Sequence, residues 1–230
     1  LYYIENPHIT VEANRFANAS IQIHTCYEPV VFGHTHYGEM DGLGYGLAIN
    51  GATMRAKIYG NYIGHRACVD TGGSTTGVPW DISCFGVSVA PNVDDDGAGF
   101  LTHYNTGSFF AYGCIVNGIG VAETRHAGYT LNARYNRLIN CSTKDVYQGI
   151  FSTGTAMKLV EIVNFTGINC QYGFTGADYG ETDFLHIDGF KIYNDSKLNG
   201  VALFLNGHNV HQWSIRNVDL YNRSEERRVG

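Results

Sequence analysis

Short strand-like segments recur along this chain at a nearly constant spacing of about 26 residues. Each segment alternates apolar with polar or small residues, and the segments align at Asn61, Val87, Cys114, Asn136, Thr166, Phe190 and Val218. A second series keeps the same period and places a small residue before an apolar one, at Cys68-Val69, Gly99-Phe100, Gly120-Val121, Gly149-Ile150, Gly173-Phe174 and Gly200-Val201. Each repeat therefore holds at least two strands, which bury their apolar face only by stacking on the next repeat.

Stacked repeats of this kind predict an all-β fold, a right-handed parallel β-helix with about eight coils of about 26 residues each. The composition agrees, because the 29 Gly residues supply turns and no amphipathic helical stretch separates the segments. A β-propeller is disfavoured, since one blade needs about 40–45 residues. A β-sandwich would not require its strands to share one period.

The C-terminal end of the chain differs from the rest. Its residues 223–230 are rich in charge and resemble the translation of a sequencing adapter. We therefore expect residues 1–222 to be one β-helix module, open at both ends, followed by a non-native tail. The alternative is a genuine charged tail.

Charge and cysteine usage exclude several classes of protein. A net charge of −6 argues against a nucleic-acid partner. No apolar run approaches the roughly 18 residues that cross a bilayer, so we predict no membrane partner. The six cysteines form no C-x-x-C motif and follow the repeat, which predicts buried free thiols.

Several segments carry a recognisable coil pattern: Gly42–Met54, Lys57–Gly73, Thr102-His103 and Tyr135–Cys141. They resemble the right-handed parallel β-helix proteins of the pectate-lyase-like superfamily, and within it they are most similar to phage tailspike and appendage proteins. The resemblance covers about residues 8–222. It implies a homotrimer that binds polysaccharide along a shallow groove on one sheet or between subunits, in the virion or outside the cell. These motifs specify coils, not catalysis.

Outward side chains of neighbouring coils form columns, so residues far apart in sequence meet on one face. The second repeat series predicts one such patch of catalytic residues, with members from three successive coils: Asp70, His103, Glu123 and Arg125. An acidic insertion and two flanking side chains supply the predicted substrate-binding residues: Asp94, Asp95, Asp96, Tyr104 and His126.

Two chemistries fit these residue types. Two carboxylates that flank a sugar act as general acid and as base or nucleophile in glycoside hydrolysis. Alternatively, the aspartate cluster holds Ca²⁺ through oxygen ligands while Arg125 or His103 takes a proton beside a uronic carboxylate, as in lyases of the superfamily. The structural alternative for Asp94–Asp96 is an ordinary solvated turn.

Other candidates concern sugar stacking and metal binding. The aromatic side chains of Phe109, Phe110 and Tyr112 are suited to stacking on sugar rings, although Phe109 and Tyr112 fit a core position equally well. His34 and His36 share one face of a strand but lack a fixed third ligand, so no metal site is predicted.

Three hypotheses about the function remain open from the sequence. The first is a tailspike or appendage shaft that recognises, and in one version cleaves, a bacterial surface polysaccharide. The second is a secreted bacterial polysaccharide lyase or epimerase. The third is a structural adhesin without chemistry.

Overall fold

The structure is a computed structural model. It describes residues 10–12, 16–17, 20–36, 44–72, 77–91, 97–118, 127–177, 180–194, 200–205 and 208–222. The predicted tail at 223–230 lies outside these ranges. Among the described residues, no helix is long and apolar enough to span a membrane.

The described residues form strands and turns without any helix. The strands are, in chain order, β1 (Thr10–Glu12), β2 (Phe16–Ala17), β3 (Ile21–His24), β4 (Val30–His36), β5 (Tyr45–Asn50), β6 (Lys57–Ile63), β7 (Ala67–Thr71), β8 (Ile82–Phe85), β9 (Ser88–Ala90), β10 (Ala98–Thr102), β11 (Ser108–Tyr112), β12 (Ile115–Asn117), β13 (Ala127–Leu131), β14 (Tyr135–Ile139), β15 (Ser142–Ser152), β16 (Met157–Gly176), β17 (Glu181–Asn194), β18 (Val201–Phe204) and β19 (Asn209–Asn222).

All pairings between these strands are parallel and join them into one continuous sheet. The sheet winds into a parallel β-solenoid, which confirms the predicted fold class. It makes about six turns, fewer than the eight predicted.

The solenoid has three faces, which we call A, B and C. Face A holds β1, β8, β11 and β14 with the first residues of β4, β6, β16, β17 and β19. Face B holds β2, β9 and β12, the start of β15 and the following residues of β4, β6, β16, β17 and β19. Face C holds β3, β5, β7, β10, β13 and β18 with the ends of β15 and β16.

The core is a set of columns that run along the solenoid axis. On face B the register stacks Val87, Cys114, Cys141, Phe165, Phe190 and Val218. Four of these positions were predicted in the first repeat series. The predicted Asn61 and Thr166 are each one residue away from this column, and Asn136 is wrong because it points inward from face A.

The second repeat series has a direct steric cause. On face C the register stacks the apolar residues Val69, Phe100, Tyr129, Ile150, Phe174 and Leu203. The residue before each one is small because the neighbouring coil lies very close there. A Cβ on Gly99 would lie 2.7 Å from the Gly128 carbonyl oxygen and 2.8 Å from a Val116 methyl group. The predicted Gly120-Val121 lies outside the described residues, and Gly128-Tyr129 occupies the corresponding place in the register. The prediction Gly200-Val201 is wrong, since Ala202-Leu203 occupies its place.

Asparagines link neighbouring coils at two separate corners of the solenoid. At the corner between faces A and B, Asn140 and Asn164 both have a positive φ, and Asn164 Nδ2 donates to Asn140 Oδ1 at 3.1 Å. At the end of face B, the buried Asn194 bonds to the main chain of Cys170 in the preceding coil. All six cysteines are buried and free, as predicted.

Candidate functional site

The structure brings together two of the four predicted catalytic residues on face C. Asp70 lies in β7 and is only 1% exposed. His103 directly follows β10, whose residues Leu101 and Thr102 pair with Asp70 and Thr71. His103 Nε2 lies 2.9 Å from Asp70 Oδ1. The neighbouring coils therefore hold a buried carboxylate against a partly exposed imidazole.

The local electrostatics favour the protonated form of this imidazole. The hydrogen bond to Asp70 raises the pKa of His103, while burial of the ring opposes the shift. The two atoms lie at ion-pair distance, and neither meets the full geometric criteria for a hydrogen bond with any partner among the described residues. Burial first, and then the negative charge of Asp70, raise the pKa of the nearby Tyr45.

Such a pair has a defined chemical use. A carboxylate that holds one ring nitrogen of a histidine fixes the ring, and the other nitrogen is then free to exchange a proton with a substrate. Nε2 faces Asp70, so Nδ1 of His103 is the nitrogen for this exchange. We call the two residues the Asp70–His103 pair.

Of the other predicted site residues, the structure describes only Tyr104. Asp94, Asp95, Asp96, Glu123, Arg125 and His126 lie outside the described residues. Tyr104 is described and is 77% exposed. Glu123 was predicted beside His103 on the assumption that Val121 pairs with Phe100. In the structure, Tyr129 pairs with Phe100.

A row of outward aromatic side chains runs along face A. The rings of Phe32 and Tyr59 stack with centroids 4.8 Å apart, and Phe85 continues the row at 5.7 Å from Tyr59. Phe110 meets Phe85 edge-on at 6.0 Å, and Tyr112 follows at 6.4 Å from Phe110. These rings are partly exposed, and Phe32 is 43% exposed, so face A presents a long apolar strip to solvent.

A groove lies beside this row. It has a volume of about 730 Å³ and is lined by Trp80, Asp81, Ile82, Ser83, Ser108, Phe109, Phe110, Tyr135, Arg137, Ile139 and Leu159. A second depression of about 450 Å³ shares Asp81 and Ser83 with it and extends to Glu28, Arg55 and Lys57. The two depressions adjoin at these shared residues, and together we call them the face A groove.

The polar groups of the face A groove are held in place by one another. The Ser108 hydroxyl donates to Asp81 Oδ1 at 2.9 Å and accepts from the Asp81 N–H at 2.8 Å. Arg137 Nε lies 2.7 Å from Glu161 Oε2. Trp80 packs over Gly107 with no room for a β-carbon there, and its ring tilts against Tyr135 at 6.4 Å. The groove thus combines aromatic walls with fixed hydrogen-bonding groups.

Sequence reasoning found part of this surface. Phe110 and Tyr112 were named as stacking residues and do point outward, whereas Phe109 is 2% exposed and belongs to the core. Trp80 and Tyr135 were missed. The outward aromatic row itself has a signal in the sequence. Its members Tyr59, Phe85 and Tyr112 are separated by one coil each, and each follows an inward residue.

Comparison with known proteins adds no family assignment, since no known protein family and no curated protein matches this sequence. The structure supports the fold implied by the resemblance, a parallel β-helix. Functional inference therefore rests on the face A groove and the Asp70–His103 pair.

Proposed function

We propose that the protein is a polysaccharide-binding β-helix and that its ligand lies in the face A groove. The observation that carries this proposal is a pair of adjoining depressions, the larger one walled by Trp80, Phe110 and Tyr135, with polar side chains held in place beside these walls. Aromatic rings pack on the C–H faces of sugars, and fixed side chains bond to hydroxyl groups.

The shape of the groove favours an extended ligand. It runs along the solenoid axis from the rung of Glu28 through those of Arg55, Asp81, Ser108 and Tyr135 to the rung of Leu159. Five rung spacings of about 4.8 Å amount to about 24 Å. A linear polysaccharide several units long fits this dimension better than a compact small molecule.

The resemblance of the coils to phage tailspikes supports a more specific form of the proposal. In that form the protein is the shaft of a virion appendage, assembles as a homotrimer and recognises a bacterial surface polysaccharide. Size-exclusion chromatography with light scattering tests the trimer, and a monomer at micromolar concentration would contradict it.

The binding proposal is tested with a panel of bacterial capsular and exopolysaccharides. Trp80→Ala and Tyr135→Ala should each weaken binding about tenfold, because one well-packed aromatic contact contributes about 1.4 kcal/mol. Tyr193→Ala is the matched control, since this ring stacks on Tyr221 on face B. Unchanged binding in both groove variants, or no binding to any polysaccharide, would refute the proposal.

The Asp70–His103 pair favours a second candidate function, cleavage of the bound polysaccharide. In this version His103 Nδ1 exchanges a proton with the substrate while Asp70 holds the ring. His103→Gln should abolish turnover without weakening binding, and His34→Gln is the control because His34 is an exposed histidine that contacts Asn61 on face B.

The products distinguish the reaction types. A lyase releases unsaturated uronates that absorb in the ultraviolet, and chelation of Ca²⁺ should stop it if the aspartate cluster holds that ion. A hydrolase releases reducing ends without this absorbance. If the protein binds a polysaccharide but cleaves none in the panel, the cleavage hypothesis is excluded and the adhesin hypothesis is favoured.

A further inference from the structure

A cluster of polar side chains lies on face A beyond the face A groove and is separate from both sites described above. Glu181 and Asp183 extend from β17, and His211 extends from the neighbouring rung in β19. Their nearest ligand-type atoms all lie within 4.8 Å of one another. Sequence reasoning did not connect them, because about one coil separates His211 from the two acids.

Each nitrogen of the His211 ring has a different neighbour. Nδ1 lies 3.3 Å from Asp183 Oδ1, and Nε2 lies 3.2 Å from Glu181 Oε1. The side-chain amide of Asn209 approaches Nε2 as well, at 3.3 Å. Asn209 stands directly opposite Glu181 in the register of β17 and β19. Nε2 is therefore flanked by two oxygen-bearing side chains.

These separations match those of ligands that share one metal ion. Two donor atoms bound at about 2.0–2.1 Å in tetrahedral geometry are separated by about 3.3 Å. The Nε2–Glu181 and Nε2–Asn209 distances are 3.2 and 3.3 Å. Rotating the Asn209 side-chain amide by 180° exchanges its nitrogen and its oxygen, which have nearly the same size. The oxygen then occupies the position beside Nε2.

A second set of contacts holds these ligands in position. If Nδ1–H of His211 donates to Asp183, the lone pair of Nε2 is left for a metal, which is the arrangement that orients most metal-binding histidines. Asp183 is fixed in turn, because Lys158 Nζ lies 2.6 Å from its second oxygen, Oδ2.

We propose that His211, Glu181 and Asn209 bind a divalent transition-metal ion such as Zn²⁺. Asp183 is a positioning residue that orients the imidazole, and Lys158 holds Asp183. The ligand side chains of His211 and Glu181 are 47% and 45% exposed, so the fourth coordination position is open to water or to a ligand oxygen. An ion here links two neighbouring rungs of face A, since β17 and β19 each supply a ligand.

Co²⁺ is the probe for this site, because tetrahedral Co²⁺ absorbs visible light strongly and octahedral Co²⁺ does so weakly. The untagged chain should bind one equivalent of Co²⁺ with a tetrahedral spectrum, and one equivalent of Zn²⁺ should displace it. His211→Ala should abolish this spectrum, and Glu181→Gln should weaken binding at least tenfold. His186→Ala, on the same face, is the control and should bind normally.

Asp183→Asn separates the positioning role from ligation. It should weaken binding about tenfold to a hundredfold, as loss of an orienting partner does in other metal sites, while the tetrahedral spectrum of the bound ion stays unchanged. Far-UV circular dichroism should show that each variant keeps its fold, as expected for exposed positions.

Three results would overturn the proposal. The first is no Co²⁺ binding up to millimolar concentration. The second is binding that His211→Ala leaves unchanged. The third is a spectrum with the near-ultraviolet bands of thiolate ligation, which would assign the ion to cysteines instead.

Discussion

Asn194 links two coils through two hydrogen bonds between its side chain and the main chain of Cys170. Its side-chain Oδ1 accepts a hydrogen bond from the Cys170 N–H at 3.0 Å, and its Nδ2 donates to the Cys170 carbonyl oxygen, also at 3.0 Å. Asn194 is 2% exposed. Asn194→Ala would therefore leave two buried main-chain groups of Cys170 without these partners.

The expected loss of stability follows from that count. A buried polar group left without a partner costs about 1–3 kcal/mol, so two of them cost about 2–6 kcal/mol. For a chain of this size, about 4 kcal/mol lowers the melting temperature by about 8–16 °C. Urea unfolding followed by circular dichroism gives the free energy directly, and the slope with urea should stay unchanged.

Two further variants make the test specific. Asn61→Ala removes an exposed asparagine whose Nδ2 lies 3.2 Å from His34 Nδ1, and it should change the free energy of unfolding by less than about 0.5 kcal/mol. Asn194→Asp keeps the acceptor but faces the Cys170 carbonyl with a second oxygen, so it should destabilise at neutral pH and recover partly when the new carboxyl group is protonated. A loss below about 1 kcal/mol for Asn194→Ala would refute the reasoning.

Three other predictions concern packing, thiols and pH. Gly149→Ala should destabilise more than Gly86→Ala in urea unfolding. A Cβ at Gly149 lies 2.7 Å from the Gly173 carbonyl oxygen, whereas the one at Gly86 has open space and costs only the strain of the positive φ there, about 1–2 kcal/mol; equal losses would contradict this. The thiols should resist an aromatic disulfide reagent until the chain is unfolded, since burial raises the pKa of Cys68 to about 12; rapid reaction of the native protein would contradict their burial. His103 has a raised folded pKa, so its pairing stabilises the fold below the unfolded value of about 6.5 and is lost as pH rises through the folded value. Asp70→Asn should thus cost more stability at about pH 6 than at about pH 9, and a pH-independent loss would exclude the ion pair.

The sequence predicted the fold well because the repeat has a steric cause. Where the coil length is constant, as between Val87 and Cys114, counting residues also gives the register. Counting gave the wrong place for the third repeat, at Gly120-Val121, because Gly128-Tyr129 carries the same pattern of a small and then an apolar residue eight residues later. A local pattern cannot distinguish the two, whereas the pairing between coils and the packing of Tyr129 against Phe100 can.

The candidate sites were less accessible to sequence reasoning. Asp70 and His103 were found because both follow correctly aligned anchors. Trp80 lies outside the named strands, where isolated bridges stack Tyr27, Met54 and Trp80 one coil apart, and no strand-like sequence pattern marks this column. His211 meets Glu181 and Asp183 only through the pairing of β17 with β19. The position of Trp80 and the cluster around His211 both depend on how neighbouring coils pair, which composition and residue spacing alone do not reveal.

The uniformly parallel winding also determines how this chain folds. A parallel pair has no hairpin to start from, so every rung forms only after the ends of a segment of about 25 residues have met, at an entropy cost that hardly changes from coil to coil. Once one rung exists, each new one adds to its edge. Growth of the solenoid therefore resembles one-dimensional polymerisation, in which the formation of the first rungs limits the rate and added length extends the folding time only gradually.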